Sequence, residues 1–194
     1  MKDINMHDIS SQYYDVLKEL GNIGAGNATT ALAQMLDARV DMSVPKVSLL
    51  EFKDLGEVVG GEEQIMASIY LRVEGDVEGS IMFMLPKPAA VHLANKLMCG
   101  MLGVCSENAQ DHELGEMECS AIMEIGNIIT GAYLNALSGL TNMKIYPSVP
   151  NLGIDMAGAL LSVPAIEFGI YGDHILLIQT KFSDDIDLDG FFLL

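Results

Sequence analysis

Two short stretches of the chain set a carboxylate and a carboxamide one helical turn apart. Residues 15–22 read Asp-Val-Leu-Lys-Glu-Leu-Gly-Asn, and residues 120–127 read Ser-Ala-Ile-Met-Glu-Ile-Gly-Asn. Asp15, Glu19 and Asn22 are spaced i, i+4, i+7, and so are Ser120, Glu124 and Asn127. Seven helical steps turn through about 700°, within about 20° of two full turns, so each trio shares one helix face. An asparagine carboxamide both donates and accepts hydrogen bonds, so it can hold a water in line for attack without removing its proton. That suffices where the electrophile is already activated, as in an acyl phosphate bound to a metal on another protein, because phosphoryl transfer rests mostly on positioning and charge stabilisation. A neighbouring glutamate can pair with a cation of the partner and fix the docking register. A lone Glu and Asn on a helix is ordinarily a solvated face. Two identical pairs at identical spacing weigh against that.

The pairs lie within a longer duplication. Residues 17–45 align without a gap on residues 122–150, at an offset of 105, with ten of 29 positions identical. The identities begin at Glu19, Gly21, Asn22, Ile23, Gly26, Ala31, Leu32, Ser43, Val44 and Pro45. Further on, "LRVEGDVEGSIMFML" and "FGIYGDHILLIQT" both set a Gly-Asp pair between apolar runs, which predicts a β-hairpin in each copy. Gly75 and Gly172 are 97 apart, so this match predicts an eight-residue insertion in the first copy, within "FKDLGEVVGGEEQ".

The elements that must carry the motif follow from this. Each copy predicts a long helix, an extended segment and a hairpin, and "KPAAVHLANKLMCG" predicts a helix between the copies with Gly100 as its stop. The tail "SDDIDLDGFFLL" fits a last strand or an unstructured end. The fold class is α/β (α+β): a pseudo-two-fold repeat with a mixed or antiparallel sheet and helices packed on one face. Copies of this size bury too little surface to fold alone. The expectation is therefore a single domain over 1–194 built from two internal repeats, about 10–86 and 114–182. The glycines Gly21, Gly24 and Gly26, with Gly126 and Gly131, each cost a helix about 1 kcal/mol relative to alanine. Two reasons can offset that: close approach of a partner, or close packing of the protein's own long helices.

Composition narrows the partners. Ten Lys and Arg against 27 Asp and Glu give a formal charge of −17, which repels phosphate backbones and anionic lipids and speaks against nucleic acid and membrane partners. The apolar runs are too short to span a bilayer, and the first residues lack the apolar core of a signal peptide, so a cytoplasmic protein is expected. Cys99, Cys105 and Cys119 form no even framework, and reduced thiols are expected. Other motifs are incomplete. "GAGNAT" lacks the third glycine of a dinucleotide fingerprint and follows a helical pattern, not a strand. "HELGE" lacks the second histidine of a zinc protease, and the four histidines are scattered without ligand spacing, so no metal ligands are assigned.

The pattern [Asp/Ser]-x3-Glu-x2-Asn-x22-Pro resembles the signature of the CheC/CheX/FliY chemotaxis phosphatase family. It is met at Asp15, Glu19, Asn22 and Pro45, and again at Ser120, Glu124, Asn127 and Pro150. With both motifs intact and no room before Leu194 for the flagellar-switch domain of FliY-like members, the chain is nearest to the CheC type. The resemblance implies hydrolysis of the aspartyl phosphate on the response regulator CheY. By it, Asn22 and Asn127 orient the attacking water, Glu19 and Glu124 contact the regulator's active-site lysine, and Asp15, Pro45, Ser120 and Pro150 support the motif. It implies no cofactor of the protein's own, since the magnesium belongs to the regulator, and CheD, a receptor-modifying deamidase, as a possible second partner. The alternative is a non-catalytic module that sequesters the phosphorylated regulator or controls CheD.

Overall fold

The computed structural model describes residues 11–36, 41–103, 114–169, 172–183 and 187–194. Two long helices, α1 (Ser11–Leu36) and α4 (Glu116–Thr141), carry the two motif stretches. The strands are β1 (Asp41–Glu51), β2 (Ile65–Gly75), β3 (Gly79–Pro86), β4 (Ile145–Pro147), β5 (Asn151–Met156), β6 (His174–Ser183) and β7 (Asp187–Leu193). The remaining helices are α2 (Leu55–Val58), α3 (Lys87–Leu102) and α5 (Ala157–Phe168).

The strands form one sheet in the order β1-β6-β7-β3-β2-β4, with β5 also on β2, and each pairing is antiparallel. The order is symmetric about the central β3–β7 pair. The strand after each long helix does not pair with the hairpin that follows it: β1 pairs with β6, and β4 and β5 pair with β2. The two halves thus exchange their edge strands, which makes each dependent on the other for its sheet.

At the centre Ile69 pairs with Phe83, Phe83 with Phe192, and Phe192 with Ile178, a straight rung across four strands. All four side chains are fully buried, on one face of the sheet. The rings of Phe83 and Phe192 lie 4.6 Å apart, and Tyr133 of α4 stacks on Phe192 at 4.1 Å. Since Phe83 and Phe192 face the same core, the approximate two-fold axis between them stands perpendicular to the sheet.

Helices cover both faces, not one. The face bearing the rung packs against α1, α3 and α4, whereas Met66, Met82, Met84, Ile175, Leu177, Phe191 and Leu193 form a second core with α2 and α5. The reason lies in strands such as Ser80–Pro86, where apolar residues run almost without a break. A strand apolar on both sides needs cover on both sides. On the second face the Tyr70 hydroxyl donates to the Glu167 carboxylate, which also pairs with Arg72 at 3.0 Å, fastening the end of α5 to β2.

Three further expectations change. The first hairpin turns after Gly75, but the second joins β6 to β7, and Gly172-Asp173 lies before β6 instead of in a turn. The starts of β2 and β6, Ile65 and His174, are 109 apart rather than 97, so the longer connection is in the second half, where α5 stands in place of α2. The tail is the strand β7, and α3 runs past Gly100 to end at Gly103, whose φ of 67° is left-handed and whose N–H donates to the Cys99 carbonyl at 3.0 Å. Cys119 is a free thiol, but Cys99 is disulfide-bonded, against the expectation of reduced thiols. An odd cysteine count excludes a complete framework without excluding a single bridge.

Candidate active site

The structure puts the motif residues where helical spacing requires. Asp15, Glu19 and Asn22 are exposed on α1, and Ser120, Glu124 and Asn127 are exposed on α4. Among the described residues no hydrogen bond or ion pair engages the side chains of Glu19, Asn22, Glu124 or Asn127. Four polar side chains that hold nothing of their own fold together are available to a partner. Ser120 is engaged by its own helix, its hydroxyl donating to the Glu116 carbonyl at 2.8 Å. The N-terminus of α4 is closed by Glu118, whose carboxylate accepts from the Gly115 N–H at 2.8 Å.

Beneath the motifs the glycines divide into two kinds. A Cβ at Gly126 would stand 2.5 Å from Cγ1 of Ile69, and one at Gly21 would stand 3.2 Å from Cγ1 of Val44 and 3.5 Å from Cγ2 of Ile178. A Cβ at Gly24 would meet the Tyr133 ring at 2.8 Å. These three glycines serve the protein's own packing, letting the helices down onto the sheet and against each other. Gly26 and Gly131, each four residues past the asparagine, have nothing within 4 Å of an added Cβ. Close packing among the described residues does not account for them.

The same glycines set the separation of the two faces. Gly21 sits over Ile178 and Gly126 over Ile69, the two ends of the central rung. Three strand spacings separate those ends, about 14 Å. The structure therefore brings Glu19 to Asn22 on α1 and Glu124 to Asn127 on α4, each pair on its own helix over its own end of the rung. Pro45 and Pro150 do not join the helical faces. Pro45 falls at the register shift of β1 between Ser43 and Lys46, and Pro150 falls between β4 and β5. A residue without an N–H is suited to such interruptions of an edge strand.

Sequence reading had not singled out Val149, which is 82% exposed. Nor had it singled out Met117, 55% exposed at the start of α4. No signal in the sequence marks the first. The second was legible, because it lies seven residues before Glu124 and hence on the same helical face. Among the described residues no group of three or more His, Cys, Asp or Glu is placed to hold a metal ion, and no helix is long and apolar enough to cross a membrane.

A family model described as the CheC-like family matches the chain twice, over residues 14–49 and 117–154. Each match takes in one long helix and the strand region that follows it. The chain is also 39% identical over 176 residues to CheY-P phosphatase CheC of Bacillus subtilis (strain 168), a match covering 91% of this chain and 82% of that protein. The chain belongs to the CheC-like family. A second relative, the flagellar motor switch phosphatase FliY of Bacillus subtilis (strain 168), is 29% identical across 75% of this chain and 36% of that protein. Among solved structures, FliY of Thermotoga maritima superposes with a TM-score of 0.75 at 21% identity, covering 96% of this chain and 91% of that one. The fold is thus shared with FliY.

Proposed function

We propose that the protein is a phosphatase that hydrolyses the aspartyl phosphate of a CheY-type response regulator, with one working site on α1 and one on α4. The observation that carries this reading is the pair of exposed Glu/Asn couples, intact in both halves and engaged by nothing in the described fold, in a chain whose CheC relative is named as a CheY-P phosphatase. At each site the asparagine, Asn22 or Asn127, holds a water oxygen in line with the phosphorus. The water oxygen bonds to phosphorus as the bond to the aspartate oxygen breaks, and inorganic phosphate and a free carboxylate result. Glu19 or Glu124 pairs with a lysine of the regulator and fixes the register. Magnesium, held by the regulator and not by this chain, neutralises charge on the phosphoryl oxygens.

Gly26 and Gly131 fit this reading as clearance for the docked partner, one turn beyond each asparagine. Asp15, Ser120, Pro45 and Pro150 shape the motif without touching the phosphoryl group. The duplicated halves act as one domain in the cytoplasm, and the deamidase CheD is a further partner. Phosphate release from phospho-CheY, followed with and without the protein, tests the reading. Release faster than spontaneous hydrolysis is expected. Binding of the phosphorylated regulator without acceleration would establish the sequestering module instead.

A further inference from the structure

The two motif faces differ one turn before the asparagine. Lys18 lies four residues before Asn22, and Met123 occupies the same place before Asn127. Residues four apart are neighbours on a helix surface, about 5–6 Å between Cβ atoms. Lys18 is exposed, whereas Met123 is half-buried. Lys18 is the one cationic residue of α1, and α4 contains no Lys, Arg or His. No hydrogen bond or ion pair engages its ammonium group among the described residues. On the α4 face the exposed Met117 adds a second methionine to the stripe, where α1 has Gln12 in the corresponding place.

We infer that Lys18 is a positioning residue that makes the first site charge-selective, while Met117 and Met123 make the second site hold its partner by apolar contact. This rests on the phosphatase reading above and concerns how each site recognises the same phosphorylated surface. A phosphoryl group brings between one and two negative charges to a protein whose own formal charge is −17, so approach is opposed by the overall field. A cation four residues from Asn22 meets the phosphoryl charge at close range, while Asp15, which offsets it in the formal charge of the face, stands seven residues from Asn22. The helix α4 carries no such cation, and the second site relies on thioether side chains, which adapt their shape to the surface they meet. A charge at the rim of an interface acts chiefly on association and on its salt dependence, leaving the chemical step alone.

The test uses two full-length single-site proteins, Asn127→Ala to leave the first site and Asn22→Ala to leave the second. KM and kcat for phospho-CheY are measured at low and high salt, spanning Debye lengths from about 30 to about 6 Å. KM of the first site is expected to rise with salt about threefold more than KM of the second, with kcat little changed in either. Lys18→Met in the first-site protein removes that excess, Lys18→Arg keeps it, and Met123→Lys in the second-site protein creates it. An equal salt response at both sites, or one that survives Lys18→Met, overturns the inference while leaving the phosphatase reading intact. If neither single-site protein releases phosphate above the spontaneous rate, the phosphatase reading fails and this inference fails with it.

Discussion

Ser43-Val44-Pro45 and Ser148-Val149-Pro150 are the same tripeptide at the same distance from the same Glu/Asn pair, yet Val44 is 3% exposed and Val149 is 82% exposed. In the first half β1 runs through the tripeptide with only a register shift, and Val44 tucks beneath Gly21. In the second half the edge strand breaks. β4 ends at Pro147, the Ser148 N–H donates to the Arg72 carbonyl at 2.8 Å, and the Ser148 hydroxyl accepts from the Arg72 N–H at 3.0 Å. The chain then carries Val149 outward, and the room beneath Gly126 belongs to Ile69. Identical residues are buried or exposed according to which neighbour reaches the space under the helix first. The duplication has kept the motif and allowed its support to diverge.

The largest effect that can break this comparison is a charge placed in each copy of the tripeptide. Val44→Asp buries an unpaired carboxylate and is expected to cost about 3–5 kcal/mol, enough to unfold a marginal protein. Val149→Asp leaves its carboxylate in water and should stay within about 0.5 kcal/mol. Denaturant melts of the two variants decide it, and similar losses would show that the two environments are the same.

A smaller contrast separates the glycines of α4. Gly126→Ala drives a methyl into Ile69 and is expected to cost about 1–3 kcal/mol. Gly131→Ala meets open space and, by relieving the helix of a glycine, should be neutral or stabilising by up to about 1 kcal/mol. If Gly131→Ala instead destabilises the free protein, the clearance assigned to it for a partner is unnecessary.

The smallest effect comes from Tyr133, whose counterpart in the first half is the fully buried Ala28. The Tyr133 hydroxyl is buried and has no hydrogen-bond partner in the described fold, and burial pushes its pKa upward. The folded protein therefore keeps the phenol neutral while the unfolded chain ionises near pH 10, so stability is fully present below that pH and falls as pH rises past it. Tyr133→Phe is expected to raise stability at neutral pH by about 1 kcal/mol and to lessen the alkaline decline. An unchanged decline in alkaline melts would assign it to other groups.

Much of the candidate site was legible because helical spacing is fixed by geometry. Once residues 15–22 were read as helix, Asp15, Glu19 and Asn22 had to share a face, and their exposure followed from the apolar residues between them. The exchanged edge strands were not legible, because the order of segments along a chain does not say which hairpin an edge strand joins. Gly172-Asp173 misled for a local reason: it looks like Gly75-Asp76, but only the latter lies between two paired strands. The cover on the second sheet face was written in runs such as Ile81–Leu85, whose unbroken apolar character meant burial on both sides and not alternation. Nothing in the shared tripeptide announced that Val149 leaves the sheet, since that outcome depends on Ile69, eighty residues away in sequence.

The most direct test of two working sites, divergent in their support yet equal in their chemistry, is phosphate release from phospho-CheY by three variants. Glu19→Ala/Asn22→Ala removes the proposed first site, Glu124→Ala/Asn127→Ala removes the proposed second, and the third variant carries all four changes. The account expects each double variant to retain a measurable part of the activity and the quadruple variant to fall to the spontaneous rate, because the two pairs belong to separate helices seated over rung ends about 14 Å apart. Complete loss in either double variant would contradict it, showing that one copy has become only a scaffold for the other.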